Sequence, residues 1–257
     1  MLQTTIEQLR TWAAEYDTPG FIPADPVSFP HRFTAKQDIE ISGFLTAWIA
    51  YGNRKQILKK AGELHTEMDG SPLAYIIGRH YAAHEGDTRP FYRFFKHSDL
   101  HDICRRLHDI YTTYPDLEAA VTATGGDPIG ALQTLFAGIA GIPRTPQSAS
   151  KRLAMFVRWM VRRDGIVDFG LWRSIDPGTL LIPLDTHVFD MARRLGMTRR
   201  STADRRAAEE ITACLREIWP DDPCMGDFAL FGYGVNEQKG RGSGITDAGT
   251  DICAPGI

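Results

Sequence analysis

No apolar run in this 257-residue chain reaches the roughly 18 residues that a membrane-spanning helix needs, so a span of that kind is not expected. Cysteine is scarce. Cys104, Cys214, Cys224 and Cys253 are far apart and form no C-x-x-C spacing, which argues against a zinc ribbon or a cluster held by four close thiolates and leaves reduced thiols as the expectation. Sustained alternation of apolar and polar residues is also missing, so no half-buried strand is expected. There is no internal repeat, and hence no sign of a solenoid. A net charge of −3 gives no positive excess to drive indiscriminate binding to nucleic acid. The opening MLQTTIEQLRTWAAEYD has the spacing of an amphipathic helix and lacks the basic-then-apolar order of a signal peptide. A cytoplasmic protein with no membrane partner and no cofactor is expected.

What is present is helical period. Apolar residues recur at three and four over 6–16, 38–52, 55–68, 100–111, 127–140, 150–161, 185–196 and 207–219, so the chain reads as all-α. Pro19, Pro23, Pro26 and Pro30 make 17–36 an irregular connection whose aromatics predict packing across the core. From Asn236 the composition turns glycine-rich, the pattern of a flexible tail over 236–257. Charge is uneven. Residues 143–163 carry Arg144, Lys151, Arg152, Arg158, Arg162 and Arg163 and no acid, a pattern open both to a solvated face and to an anion-binding one.

Two helix starts carry the chemistry. In LLIPLDTHVFDMARRLGM, 180–197, Asp185 stands before a periodic run that closes at Gly196, the places of an N-cap and a C-terminal glycine. A cap is one reading of this aspartate. The other follows from the same position, because a carboxylate held anionic at a helix start is suited to face a developing positive charge. Upstream, Ser150 precedes Lys151 at the head of KRLAMFVRWMV. With Ser150 as N-cap, Lys151 falls in the first turn, where the dipole and neighbouring Arg152 both work against an ammonium, as a nucleophilic amine requires. An ordinary solvated lysine is the alternative. His97, His101, Cys104 and His108 also align on one helical face, although interleaved Leu100, Ile103, Leu107 and Ile110 make an apolar stripe the simpler account, and no metal is expected.

The string IPLDTHVFDMARRLG resembles the helix-opening segment of the helix-hairpin-helix DNA glycosylases, the endonuclease III superfamily, in which a VDTHV-like string presents the catalytic aspartate. DFALFGYG, 227–234, is similar to that family's following helix, and ISGFLTAWIAYGNRKQI, 41–57, to the helix and turn bearing the residue that fills the gap left by an extruded base. The glycine-bearing PGVGxKTA-like hairpin is replaced by IPRTPQSASKRLA, and the lysine-to-aspartate segment is long. Both features bring the resemblance nearest the archaeal 8-oxoguanine glycosylase branch. With DPVSFPHRF and RWMVR, the chain as a whole also looks like an uncharacterised bacterial family of conserved hypothetical proteins.

The resemblance implies a glycosylase-like fold, a single domain over 1–235 of two helical subdomains, 37–140 and 141–235 plus 1–36, with a cleft between them. It implies a monomer acting on damaged double-stranded DNA, with AP lyase activity on an oxidised purine such as 8-oxoguanine through a lysine Schiff base. Lys151 would attack the sugar and Asp185 would stabilise the departing base's counter-charge. Asn53, with Arg54 beside it, would fill the gap; Ser148, Ser150, Arg152 and His187 would contact DNA; Trp172, Phe231 or Tyr233 would stack on a base. The alternative is a non-catalytic nucleic-acid-binding or interaction protein on the same scaffold.

Overall fold

The computed structural model describes residues 3–163 and 165–238. Eleven α-helices, five short 3-10 helices and one two-stranded hairpin account for the regular structure among them. They divide into two compact units, one of residues 3–21 with 147–238 and the other spanning Ile22–Pro146.

The first unit holds α1 (Gln3–Tyr16), α8 (Lys151–Val161), α9 (Thr186–Arg194), α10 (Arg205–Arg216) and α11 (Met225–Gln238). Helix α1 lies along α11 through Trp12 on Tyr233, with ring centroids 5.4 Å apart, and Tyr16 edge-on to Phe231 at 5.2 Å. The approach is close because Gly232 has no side chain: a Cβ there would sit 2.7 Å from the Tyr16 ring and 2.9 Å from Trp12 Cβ. Helix α8 is buried from Leu153 to Val161. The segment after it runs back along it, with the Phe169 and Trp172 amides donating to the Trp159 and Met160 carbonyls at 2.8 Å. Helix α11 continues to Gln238; the rest of the glycine-rich tail lies outside the described residues.

The second unit holds α2 (Lys36–Ile49), α3 (Arg54–Glu67), α4 (Pro72–Ile77), α5 (His97–Thr113), α6 (Leu117–Thr124) and α7 (Pro128–Leu135). Every residue of α2 from Ile39 to Ile49 is buried, so it is a core helix with no solvent stripe. Phe44 packs on Phe136 and Trp48 on Phe95, each pair 4.2 Å between centroids. Its buried carboxylate is satisfied, since Glu40 accepts from the Leu117 amide at 3.0 Å, the Glu118 amide at 3.4 Å and the Tyr111 hydroxyl at 2.8 Å. The proline-rich connection folds as three short 3-10 turns, Ile22–Ala24, Pro26–Ser28 and Pro30–Arg32, which bury Val27 and Phe29. The hairpin β1 (Pro90–Tyr92) and β2 (Phe95–Lys96) is a departure from the helical pattern. Its strands are too short to show alternation in the sequence.

Cys104 and Cys224 are buried free thiols, whereas Cys214 is disulfide-bonded, which corrects the expectation of four reduced cysteines. No helix among the described residues is long and apolar enough to cross a membrane.

Candidate functional site

Asp185 is the N-cap of α9. Its backbone is extended and its Oδ1 accepts from the Val188 amide at 2.9 Å. Its other oxygen, Oδ2, lies 3.9 Å from Lys151 Nζ. One oxygen thus makes the helix cap, and the other faces Lys151. The two side chains are partly open to solvent, 32 % for Lys151 and 44 % for Asp185, so the lysine–aspartate pair is reachable from outside.

Lys151 opens α8, and Ser150 before it stands at the N-cap position. The backbone there is left-handed, φ 48° and ψ 41°, and the Ser150 side chain does not cap. Its hydroxyl donates to the Ser148 carbonyl at 3.3 Å, while Ser148 Oγ accepts from the Ser150 amide at 3.1 Å. The turn is anchored from outside as well. Ser148 forms a backbone bridge with Asp204, and the Arg205 amide donates to the Gln147 carbonyl at 2.8 Å. The sequence IPRTPQSAS thus makes a pinned turn without the glycines a phosphate hairpin uses. Arg152 is half-buried one residue into the helix.

His187 is also half-buried, and its ring occupies the space that a Cβ at position 234 would need: that atom would fall 2.2 Å from His187 Nε2. The last glycine of DFALFGYG therefore makes room for the histidine of LDTHV. Of the three aromatics expected to stack on a base, Trp172 is fully buried edge-on to Phe156, with centroids 5.4 Å apart, and Tyr233 is 2 % exposed against Trp12. As placed, neither presents an open face. Phe231 is half-buried among Tyr16 and Phe21.

Beneath the lysine–aspartate pair lies an ionic network that no local pattern in the sequence announces. Arg158, two turns along α8 from Lys151, bonds Asp227 of α11 and reaches Asp168 at 3.2 Å. Arg162, one turn further, bonds Asp168 at 3.0 Å, Asp17 at 2.9 Å and Asp222 at 2.7 Å. Both guanidiniums also lie over the Phe228 ring, 4.7 and 5.1 Å from its centroid. Two of the six cations in the basic stretch are thus core residues. Only their i, i+4 spacing hinted at a shared face, and the four aspartates are scattered over more than 200 positions. Two guanidiniums against four carboxylates leave an excess of negative charge when all are ionised. Burial raises the Asp227 carboxyl to about 6 against the pull of Arg158, and the charge of Asp185 adds to the rise. Burial pushes Asp222 up as well.

In the second unit, Asn53 is exposed and caps α3, its Oδ1 accepting from the Lys55 amide at 3.0 Å and the Gln56 amide at 3.4 Å. Arg54 is about half exposed, 3.6 Å from Asp25 Oδ2. The histidine row along α5 splits into separate contacts. Cys104 is in the apolar stripe, His108 Nε2 accepts from Arg79 Nε at 3.2 Å, and His97 Nδ1 lies 3.0 Å from His84 Nδ1. Among the described residues no group of three or more His, Cys, Asp or Glu is placed to hold a metal ion.

No curated protein and no solved structure matches this chain. A family model described as "Protein of unknown function (DUF2400)" matches residues 25–236, which take in the Asn53 turn, the lysine–aspartate pair and the network beneath it, and the chain belongs to that family.

Proposed function

We propose that the protein is a DNA base-excision glycosylase with associated AP lyase activity, acting on an oxidised purine such as 8-oxoguanine. The observation that carries this reading is the 3.9 Å separation of Lys151 Nζ and Asp185 Oδ2 at two helix starts 34 positions apart, both partly exposed. An amine nucleophile and an anion on one nucleotide are what the chemistry requires. The neutral Lys151 amine attacks C1′ as the bond from C1′ to the base breaks, and the base departs with the electron pair of that bond and gains a proton. The Asp185 carboxylate stabilises the positive charge that builds at the sugar. Sugar ring opening gives a Schiff base between Nζ and C1′, and elimination then cleaves the strand on the 3′ side. Taking the base out of its stack costs about a few kcal/mol, which contacts to the displaced strand must offset. Asn53 with Arg54, and Ser148, Ser150, Arg152 and His187, are the residues assigned to those contacts.

The cap contact of Asp185 favours a second reading, a nucleic-acid-binding or interaction protein without catalysis, in which this aspartate only starts a helix. Borohydride trapping with duplexes containing 8-oxoguanine or an abasic site separates the two. The wild type should give a covalent adduct, Lys151→Ala none. Asp185→Asn is the informative variant, since asparagine caps as well as aspartate: it should fold with unchanged stability and lose base excision by orders of magnitude. An adduct that survives loss of Lys151, or full excision by Asp185→Asn, overturns the reading.

A further inference from the structure

Tyr51 and Phe94 are 51 % and 56 % exposed, two of the few large apolar side chains left in solvent among the described residues, and they touch each other with ring centroids 5.4 Å apart at 72°. They come from different elements. Tyr51 follows α2, immediately before Gly52 and Asn53, and Phe94 is in the two-residue loop between β1 and β2. The loop is fixed to the turn: the Tyr92 hydroxyl donates to the Tyr51 carbonyl at 2.9 Å, and Trp48 packs under Phe95.

The third member is Arg93, first residue of that loop. Its φ is +53°, in a hairpin position where glycine, asparagine or aspartate sits without strain. The guanidinium lies 5.5 Å from the Tyr51 ring centroid and directly over Gly52, where a Cβ would meet Arg93 Nη2 at 2.3 Å. Gly52 itself has φ +95°. A strained arginine, and a glycine whose missing side chain leaves room for its guanidinium, thus hold a cation beside two exposed rings, and strain kept at a surface points to use of that surface.

The surroundings select the partner. Residues 51–62 contain Arg54, Lys55, Lys59 and Lys60 and no acid; residues 89–97 contain Arg89, Arg93 and Lys96 and no acid, in a chain whose net charge is −3. Acidic counterparts come from flanking positions, Asp25, Glu63 and Asp87. Exposed rings bordered by cations fit a ligand that offers flat aromatic faces on an anionic backbone.

We infer that Tyr51, Arg93 and Phe94 form a stacking surface for an unpaired nucleobase, with the nearby cations on the flanking phosphates. This rests on the nucleic-acid part of the function proposed above, though not on its lysine chemistry. The full-length protein is titrated with three probes by fluorescence anisotropy: a fully paired duplex, the same duplex with one unpaired 2-aminopurine, and the single strand. The wild type should prefer the duplex with the unpaired base and quench its fluorescence. Tyr51→Ala/Phe94→Ala should lose the quenching and bind that duplex about tenfold or more weakly, while its melting temperature stays unchanged because both side chains are exposed. Tyr51→Phe/Phe94→Trp should restore both signals.

A double variant that keeps the preference and the quenching overturns the surface. Sedimentation that shows the wild type as a dimer and the double variant as a monomer also overturns it, in favour of a contact between copies. If the wild type binds none of the three probes, the nucleic-acid reading fails and takes this inference with it. If base-dependent quenching is present but no borohydride adduct forms, the excision chemistry alone falls.

Discussion

Arg162 is 1 % exposed and spends its three nitrogens on three carboxylates, those of Asp17, Asp168 and Asp222, with Met225 Sδ 3.0 Å from Nη2. Asp17 is tied twice over, since its other oxygen accepts from the Ile166 and Val167 amides at 3.2 Å. Taking one partner from a buried ion cluster is costlier than the pair's net worth, because the charges left behind stay desolvated. Arg162→Met should therefore destabilise the protein by about 3–5 kcal/mol at neutral pH, read as a lower urea midpoint. The loss should shrink as pH falls and the stranded carboxyls take up protons. Arg162→Lys, a single cation without the planar fork, should fall between the two.

Helices α1 and α11 meet through aromatic rings and a missing Cβ. Gly232→Ala would drive a methyl to 2.7 Å from the Tyr16 ring, so the helices must separate or the ring must turn. Overpacking of this kind costs about 1–3 kcal/mol, and thermal unfolding of the variant should show it, with helix content by circular dichroism unchanged. At this scale the sequence was largely legible. The eight periodic stretches correspond to α1, α2, α3, α5, α7, α8, α9 and α10, most of them within three residues, although α7 stops at Leu135, five short of the expected 127–140. The Asp185 cap and Gly196, with φ +67°, sit where local rules put them. Helices α4 and α6, of six and eight residues, escaped, α6 beginning on the amides that Glu40 holds from far away in the chain, and α11 was suggested only by the family resemblance of 227–234, not by period. The lysine–aspartate pair could be suspected from two helix starts. The Arg158 and Arg162 network could not, since Asp17, Asp168, Asp222 and Asp227 are brought together only by tertiary folding. Exposure is likewise invisible to periodicity, which is why nothing in the sequence singled out Tyr51 and Phe94 while Trp172, fully buried, read as available.

Across the whole molecule the two units carry opposite responses to acid. In the unit spanning Ile22–Pro146, His65 is buried, its Nδ1–H donating to the Ala61 carbonyl at 2.7 Å and its Nε2 accepting from the Ser42 hydroxyl at 2.6 Å. Burial lowers it to about 4, against about 6.5 in an unfolded chain. The unfolded chain takes the proton first, so this contribution to stability is lost as pH falls from about 6.5 to 4. Burial lowers His97 in the same unit too. Asp227, in the other unit, is raised to about 6 from about 3.9. There the folded state holds the proton more tightly, so stability rises as pH falls through about 6 towards 4. Hydrogen exchange at pH 7.5 and pH 4.5, corrected for intrinsic rates, should show protection within 22–146 falling relative to protection within 147–238. Asp227→Asn should remove the second unit-specific change and leave the first. A parallel change in both segments would contradict the assignment.

The pairing of α1 with α11 also sets a timetable for synthesis. The apolar face of α1, with Leu9, Trp12 and Ala13 buried in the finished protein, emerges from the ribosome well before α11. Its docking partner around Phe231 and Tyr233 emerges more than 200 residues later, a wait of roughly ten to forty seconds at ordinary elongation rates of about 5–20 residues per second. All of 22–146 is made within that interval and can complete its own core. Helix α1 is thus made early and covered late, and until α11 arrives its tryptophan face stays open to solvent.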